Sequence, residues 1–255
     1  MISDPRYPAQ GMSRSNTTPA GAVRARLGFV IPSVNTILEE WLPHVLPNDV
    51  SMHVSRVPIS SSASVAAVEE MAQHENAAIR LVADCGPDVI IHACVASSAL
   101  RGPVRDQAFA LEIAQETGTR FCTAMTAILT ALTSVGARRV CVASPYTEAI
   151  DAMERSFFEA SGIEVTGTSS LAIGNTRDIA RQSTRDILDL GRRAWVPGSD
   201  ALLISCLALR SHTVVEALEQ ELGIPVVTAT QAALWTALRL SGCMDTLHGY
   251  GRLLA

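Results

Sequence analysis

The sequence predicts an α/β protein made of two pseudo-symmetric halves, each a mainly parallel sheet flanked by helices. The first observation is that apolar runs of strand length alternate with segments of helical pattern, which implies parallel sheets with right-handed crossovers. The second is an internal repeat, in which Gly86-Pro-Asp-Val-Ile-Ile-His-Ala-Cys94 is matched by Gly198-Ser-Asp-Ala-Leu-Leu-Ile-Ser-Cys206. Both runs open with Gly-x-Asp and end on cysteine, and their apolar stretches are typical of strands buried on both faces.

Two further segments repeat in the same order. Pro32-Ser-Val-Asn35 and Pro145-Tyr-Thr-Glu148 each follow an apolar run, and the two prolines are separated by nearly the same interval as the two cysteines. A third pair begins at Gly118 and Gly223, each followed after four residues by Thr-Ala. Three matched segments in one order indicate a duplicated half-domain.

The first residues differ in composition from the rest of the chain. They are rich in Pro, Ser, Thr and Gly and have no apolar centre, which predicts a flexible extension and not a secretory signal. The predicted organisation is an extension over 1–23 and one α/β unit over 24–255, with halves at about 24–136 and 137–242 and a segment 243–255 that returns to the first half.

In the first half, Ser33 or Asn35 is the expected cap of the first helix. A long helix over 62–83 is expected to bury Val65 and Val68 on one face. The predicted strands are 24–31, 50–57, 88–92 and 120–122, and the predicted helices are 37–41, 62–83, 104–116 and 124–135.

The second half repeats this order. A polar loop around Asn175 follows its second strand, and Ser211 is the expected N-cap of the helix after Cys206. The predicted strands are 139–144, 163–167, 201–205 and 224–227, and the predicted helices are 147–160, 177–190, 211–221 and 230–240.

Composition excludes several classes of function. The chain has 255 residues, 48% of them hydrophobic, and a net charge of −5 without a long basic run, which argues against nucleic acid as a partner. Its apolar stretches are of strand length, so we expect no membrane-spanning helix. Six cysteines without a signal peptide favour a reducing, cytoplasmic location. Cys-x-x-Cys, His-x3-His and glycine-rich nucleotide motifs are absent, so we expect neither a metal nor a cofactor.

Cys94 and Cys206 are the candidate catalytic residues. In open α/β sheets the ligand crevice lies at the carboxyl ends of the strands, where both thiols are predicted. A helix N-terminus lowers the pKa of a thiol and also favours an anionic ligand. Two thiols across one cleft could act on opposite faces of a substrate, one attacking or donating a proton and the other accepting one. The remaining cysteines, and His92, are expected to be core residues.

Three polar residues are candidates for substrate binding. Asn35 and Tyr146 follow strand-ending prolines in equivalent loops, and Asn175 lies in a Gly-Asn-Thr turn. Each has an alternative interpretation: a helix cap for Asn35, a packed ring for Tyr146 and ordinary turn chemistry for Asn175. Ser33 belongs to the same loop as Asn35 and is included with them.

These segments resemble the aspartate/glutamate racemase superfamily, in particular its maleate cis-trans isomerase and arylmalonate decarboxylase branch. The resemblance covers about 27–254. The motifs that carry it are Gly28-Phe-Val-Ile-Pro-Ser-Val-Asn35-Thr, Ala93-Cys94-Val, Pro145-Tyr146, Asn175-Thr, Leu202-Leu-Ile-Ser-Cys206, Gly223-Ile-Pro-Val-Val-Thr and Gly249-Tyr-Gly-Arg-Leu-Leu254.

The resemblance implies a mechanism without a cofactor. Cys94 would attack the double bond of a cis-dicarboxylate such as maleate, and Cys206 would handle the proton. The adduct has a single bond, so it can rotate before elimination gives the trans product. Positions matching Asn35, Tyr146 and Asn175 would hold the carboxylates. The backbone amides of Val95 and Leu207 are expected to join them, and we expect a small carboxylate as the ligand and a homo-oligomeric assembly.

Two departures leave the substrate open. The first loop reads Pro-Ser-Val-Asn where the branch often has Pro-Ser-Ser-Asn, and the loop predicted after Cys94 is more polar than expected for a maleate enzyme. Arylmalonate decarboxylases keep only the second cysteine, so the presence of Cys94 argues against simple decarboxylation. The alternatives are a two-thiol racemase of a small carboxylate or amino acid, a malonate-type decarboxylase, and a non-catalytic small-acid binding protein.

Overall fold

Two four-stranded parallel sheets, one in each half, form the frame of the protein. The computed structural model describes residues 23–255, so the extension predicted over 1–23 lies outside the described residues except for its last position. The strands are β1 (Ala25–Pro32), β2 (Val50–Val57), β3 (Val89–His92), β4 (Arg120–Thr123), β5 (Arg139–Ser144), β6 (Glu164–Ser170), β7 (Ala201–Ile204) and β8 (Val226–Thr228).

Both sheets have the same strand order, which confirms the predicted fold class. The first is ordered β2-β1-β3-β4 and the second β6-β5-β7-β8, and every pairing is parallel. β3 and β7 are buried along their whole length, as expected for central strands covered on both faces. Their carboxyl ends therefore deliver equivalent positions in the two halves.

Ten α-helices and one short 3-10 turn connect the strands within residues 23–255. Helix α4 (Val95–Thr117) of the first half packs against α6 (Glu148–Ala160) of the second, and α5 (Ala124–Ser134) packs against α10 (Ala229–Leu240). The helices are α1 (Ile37–Val45), α2 (Val65–Ala72), α3 (Glu75–Ala83), α4 (Val95–Thr117), α5 (Ala124–Ser134), α6 (Glu148–Ala160), α7 (Thr176–Ile179), α8 (Thr184–Ala194), α9 (Val215–Leu222) and α10 (Ala229–Leu240), and the 3-10 turn is Ser211–Thr213.

The single long helix predicted over 62–83 is wrong. The chain forms α2 and α3 instead, with a break at Gln73 and His74. Glu75, the first residue of α3, is buried and hydrogen-bonded to groups from β3 and α4. A straight helix would not turn that carboxylate inward, so the tertiary contact overrides the local helical pattern.

Helix α4 begins nine residues earlier than the predicted 104–116, directly after Cys94. The segment expected to be a polar loop is therefore the first two turns of a helix. Gly102 interrupts it with φ 69 and ψ 162, because the residue before a proline, here Pro103, is disfavoured in the helical region. Gly102 and Pro103 mark a kink and not the start of the helix.

The second half also departs from two helix predictions. The helix predicted over 177–190 is divided into α7 and α8. After Cys206, the helix predicted to be capped by Ser211 is replaced by a turn, the 3-10 segment and then α9. Ser211 is buried and its hydroxyl meets that of Thr230 at 3.1 Å. A side chain held in this internal contact cannot cap a helix.

The C-terminal segment contacts both halves. Asp245 accepts a hydrogen bond from Arg24 at 2.9 Å, and the Tyr250 ring lies edge-on to Trp41. The Arg252 backbone N–H donates to Glu219 of α9 at 3.0 Å. Among residues 23–255, no helix is long and apolar enough to cross a bilayer.

Candidate functional site

Cys94 lies two residues beyond β3, at the N-cap position of α4. Its backbone is extended, with φ −135 and ψ 107, and the residue is 8% exposed. The first amides of α4 have no partner within the helix, so they point toward the cap and favour an anion there. The backbone N–H of Ser97 donates a hydrogen bond to the Cys94 sulfur, which lowers the pKa of that thiol. Of the two predicted helix N-termini at the cysteines, this one is present.

Cys206 occupies a sharper turn than the sequence predicted. Its φ is 80, and among residues 23–255 only Ala172 shares a positive φ without being glycine. A left-handed backbone costs a non-glycine residue about 1–2 kcal/mol. The turn directs the backbone amides of Ala208 and Leu209 at the sulfur. Such a nest of amides replaces the predicted helix N-terminus as the anion-favouring element.

The two thiols and Tyr146 lie near enough to perturb one another's ionisation. Burial raises the pKa of Cys94 to about 12, and the Cys206 thiol contributes to that rise. Burial also raises the pKa of Cys206 to about 11, opposed by the Tyr146 hydroxyl and the Ala208 amide. The pKa of Tyr146 is raised well above its usual range by burial and then by Cys206. Groups that perturb one another in this way are close in space, and each of the three follows the carboxyl end of a strand, β3, β5 or β7.

Asn35 and Ser33 lie in the β1–α1 loop. The Asn35 carboxamide oxygen accepts from the N–H groups of Ile37 at 2.9 Å and Leu38 at 3.3 Å, and the residue is 1% exposed. Its oxygen therefore caps α1, which leaves its NH2 group as the part that can meet a carboxylate. Ser33 is exposed, and its hydroxyl accepts from the Ile59 N–H at 3.2 Å.

Asn175 is exposed and caps α7, because its side-chain oxygen accepts from the Arg177 N–H at 3.0 Å. Its loop crosses to the other half of the molecule. Ala63 N–H donates to the Gly174 carbonyl at 3.0 Å, and Thr176 N–H donates to the Ser61 carbonyl at 2.9 Å. These loops follow β6 and β2, the edge strands beside β5 and β1, so they link the halves at the carboxyl ends of the sheets.

The remaining two predicted binding residues, Val95 and Leu207, directly follow the cysteines. Both side chains are buried at 2% exposure. Val95 is the first residue of α4 and Leu207 begins the turn after Cys206. The Val95 amide is the first of α4, whereas the amides that act on Cys206 are those of Ala208 and Leu209, not of Leu207, and both side chains belong to the core.

A buried polar cluster behind Cys94 was not found from the sequence. Glu75 accepts from the Ser97 hydroxyl, from His92 Nε2 at 3.2 Å and from Arg101 Nη1 at 2.8 Å. Arg101 also donates through Nε to Asp106 at 3.0 Å. Burial alone would raise the pKa of Glu75, but His92, Arg101 and Ser97 outweigh it and lower that pKa to about 2. The carboxylate is therefore ionised. No signal in the sequence distinguished it, because Glu75 shares its segment with Glu69, Glu70 and Arg80.

A second buried carboxyl group lies near Cys206. Glu154 on α6 accepts from the Ser205 hydroxyl at 2.5 Å, and its other oxygen is buried without a hydrogen-bond partner in the structure. Burial raises the pKa of Glu154 to about 8, with the charge of Asp151 adding to the rise. No spacing rule in the sequence connects Glu154 with Cys206.

Comparison with known proteins places this arrangement in a family. The arylmalonate decarboxylase family model matches residues 47–254, most of the chain. The chain belongs to the arylmalonate decarboxylase family. This result confirms the superfamily branch expected from the motifs around the two cysteines.

Members of this family with two different names are similar to the chain. Maleate isomerase of Nocardia farcinica is 26% identical over 239 residues, covering 90% of this chain and 95% of that protein. Arylmalonate decarboxylase of Bordetella bronchiseptica is 34% identical over 156 residues, covering 60% of this chain and 65% of that protein. The chain is thus a member of an enzyme family that contains both isomerases and decarboxylases.

A solved structure shows the same fold. It is a Nocardia farcinica maleate cis-trans isomerase, a cysteine-to-serine mutant with a covalently bound succinylcysteine intermediate. The TM-score is 0.85 at 24% identity, over 90% of this chain and 98% of the other.

Within residues 23–255 no group of three or more His, Cys, Asp or Glu side chains is arranged to hold a metal ion.

Proposed function

We propose that this family member is a cis-trans isomerase of a small cis-dicarboxylic acid, maleate or a close analogue, and that it works without a cofactor. The observation that carries the proposal is the pair of buried thiols, Cys94 and Cys206, which follow equivalent strands of the two sheets and lie near enough to each other and to Tyr146 to affect one another's pKa. Addition and elimination of a thiol at a double bond needs only one nucleophile and one proton donor, which two cysteines can provide.

In the proposed reaction, the Cys94 thiolate forms a bond to one carbon of the double bond. The electron pair moves to the neighbouring carbon, which takes a proton from the Cys206 thiol. The resulting thioether is a succinylcysteine, the kind of species named in the Nocardia structure. Rotation about the new single bond follows. The Cys206 thiolate then removes a proton from the same carbon, the bond to Cys94 breaks with its electron pair returning to sulfur, and the trans product leaves Cys94 again as a thiolate and Cys206 again as a thiol.

Formation of the Cys94 thiolate is the step that the environment controls. Burial raises its pKa, whereas the Ser97 amide and the Arg101 guanidinium favour the anion. The N-terminal end of α4 adds a favourable dipole. The same end, with the Val95 amide, is suited to a substrate carboxylate. The second carboxylate would meet the amides after Cys206, the Tyr146 hydroxyl and the NH2 groups of Asn35 and Asn175.

The test is a screen of small dicarboxylates by proton NMR in deuterated buffer. Wild-type protein is expected to convert maleate or a close analogue to its trans isomer, and Cys94→Ser is expected to abolish conversion. Cys85→Ser is the matched control. Cys85 was expected to be a core residue but is exposed, and it precedes β3, the strand that leads to Cys94. Exchange of an α-proton without isomerisation would identify a racemase instead.

Decarboxylation of a malonate-type acid is the second candidate, favoured by the similarity to the Bordetella bronchiseptica decarboxylase. In that reaction carbon dioxide leaves the substrate and the remaining carbanion takes a proton from Cys206. Decarboxylation by this route does not need Cys94, so the Cys94→Ser variant would keep its decarboxylase activity. Loss of a carboxyl group from phenylmalonate, seen in the same spectra, would establish this alternative over isomerisation.

A further inference from the structure

Two buried carboxyl groups, Glu75 and Glu154, lie behind the two thiols, and the proposed reaction uses neither. Each residue is 1% exposed. They are not related by the internal repeat, because Glu75 begins α3 and Glu154 lies within α6, which follow different strands of their halves. Burying a carboxyl group is costly unless its environment compensates, so both positions call for an explanation.

Glu75 joins the two backbone segments on either side of Cys94. Its Oε1 meets His92 Nε2 at 3.2 Å and the Ser97 hydroxyl, and its Oε2 meets Arg101 at 2.8 Å. His92 precedes Cys94 by two residues on β3, and Ser97 follows it by three on α4. One carboxylate therefore links the end of the strand to the first turn of the helix, which sets the direction of the amides that face the sulfur.

Glu154 supports the segment that carries Cys206. It accepts from the Ser205 hydroxyl, and Ser205 is the residue before the left-handed turn at Cys206. Glu154 also lines a small cavity of about 20 Å³, together with Asp151, Ser144 and Arg155. That volume is enough for about one water molecule. The charge of Glu154 acts on both Cys206 and Tyr146.

We propose that Glu75 and Glu154 are positioning residues, Glu75 for Cys94 and Glu154 for Cys206. Glu75 holds the N-terminal turn of α4 against β3, and Glu154 holds the end of β7 in the conformation that presents Cys206. Each also sets the local charge at its own thiol. The proposal rests on the proposed function in one respect, namely that these two thiols are the reacting groups.

The charge part is tested without any substrate. The rate of alkylation by iodoacetamide is measured separately for each cysteine by peptide mass spectrometry, at pH 6.5 and pH 9.5. Glu75→Gln is expected to speed alkylation of Cys94 by about threefold or more at both pH values, equal to about half a pKa unit. Glu75 is ionised at both, and its charge raises the pKa of Cys94. Cys206 is expected to react at its wild-type rate.

Glu154→Gln is expected to give a different pattern. Below the Glu154 pKa of about 8 the carboxyl group is neutral, so the variant should match wild type at pH 6.5. At pH 9.5 the wild-type carboxylate opposes the Cys206 thiolate, and its removal should speed alkylation of Cys206 alone by about threefold. The buried Cys141, at 0% exposure, must stay unmodified, which shows that neither variant has loosened the fold.

The positioning part is read from turnover of the acid identified in the NMR screen. Both variants are expected to lower kcat by about tenfold or more and to raise KM by a smaller factor, because neither removes a group that binds the ligand directly. Glu70→Gln and Glu159→Gln are the controls, because both residues are exposed. Glu70 lies on α2, the helix before the one that begins with Glu75, and Glu159 lies on α6, the helix that carries Glu154. Wild-type kcat in Glu75→Gln and Glu154→Gln would overturn the proposal.

Two milder variants cover the case in which a glutamine variant fails to fold. Ser97→Ala and Ser205→Ala each remove one hydrogen bond to the glutamate and keep its charge. They are expected to lower kcat and to leave alkylation unchanged; wild-type kcat in both would overturn the proposal. Suppose that no acid is turned over, but each glutamate still changes the alkylation rate of its own thiol alone. The proposed function then fails, and the assignment of Glu75 to Cys94 and of Glu154 to Cys206 stands. If isomerisation is found but neither glutamate variant changes the alkylation rate of its own thiol alone, the assignment of the glutamates to the thiols fails and the proposed function stands.

Discussion

Glu154 gives the sharpest prediction about stability. In an unfolded chain its carboxyl group titrates at the ordinary value of 4.5, whereas in the folded protein its pKa is about 8. The folded state therefore holds a proton that the unfolded state has lost. Stability contributed by this group is present at pH values below 4.5 and declines as the pH rises to 8. Replacing Glu154 with Gln removes the titration and keeps an acceptor for the Ser205 hydroxyl.

The size of the effect follows from the two pKa values. Their difference of about 3.5 units corresponds to on the order of 5 kcal/mol between pH 4.5 and pH 9. This is an upper bound, because a water molecule entering the small cavity that Glu154 lines would help to solvate the carboxylate. Even half of it is large beside the 5–15 kcal/mol that typically stabilises a folded protein.

The assay is urea unfolding at pH 5 and pH 9, with wild type, Glu154→Gln and the exposed-site control Glu159→Gln. Wild type and the control are expected to lose stability between the two pH values by at least about 2 kcal/mol more than Glu154→Gln does. Because each protein is compared with itself at the two pH values, any change in the free energy of unfolding that the glutamine causes equally at both pH values cancels. Equal pH dependence in all three proteins would show that Glu154 is not held neutral by burial and would refute the reasoning.

Three further predictions follow from the site. Mixed with maleate, Cys206→Ser is expected to accumulate a covalent adduct at Cys94 and Cys94→Ser none; intact-protein mass spectrometry would show the added mass, and an adduct on Cys206 would reverse the roles. Asn35→Ala and Asn175→Ala are each expected to lower kcat/KM by about tenfold or more, since a hydrogen bond to a charged group contributes about 1.5–3 kcal/mol; wild-type kinetics in both would remove them from the site. Cys206→Gly is expected to be more stable than Cys206→Ala by about 1 kcal/mol in urea unfolding, because φ 80 strains any residue with a Cβ; equal stability would show that the turn is unstrained.

Much of the fold was predictable because it depends on short-range pattern. The apolar runs before Cys94 and Cys206 are local, so they locate β3 and β7 whatever the rest of the chain does. The repeat then indicates that the two ends are equivalent, and equivalent ends of parallel strands lie in equivalent places. Cys94 and Cys206 could therefore be recognised as equivalent positions without knowing how the two halves pack.

Helix boundaries were less predictable because long-range contacts decide them. Glu75 reads locally as one residue of a continuous helix, and only its bonds to β3 and α4 explain the break before α3. Gly102 reads as a helix start, although α4 already extends back to Cys94 and is only kinked there. In both cases a polar or steric requirement set elsewhere in the structure outweighs a modest local preference.

The sequence by itself determined the α/β class, the repeated succession of strands and helices along the chain and the two cysteines as the residues to consider first. These follow from periodicity and spacing, which are properties of neighbouring residues. Only the tertiary structure decided that Cys206 sits in a left-handed turn under the Ala208 and Leu209 amides, and that a separate carboxyl group lies behind each thiol. The physical reason is that burial and charge at a point depend on every chain segment that converges there, and residues far apart in sequence carry no local sign of that convergence.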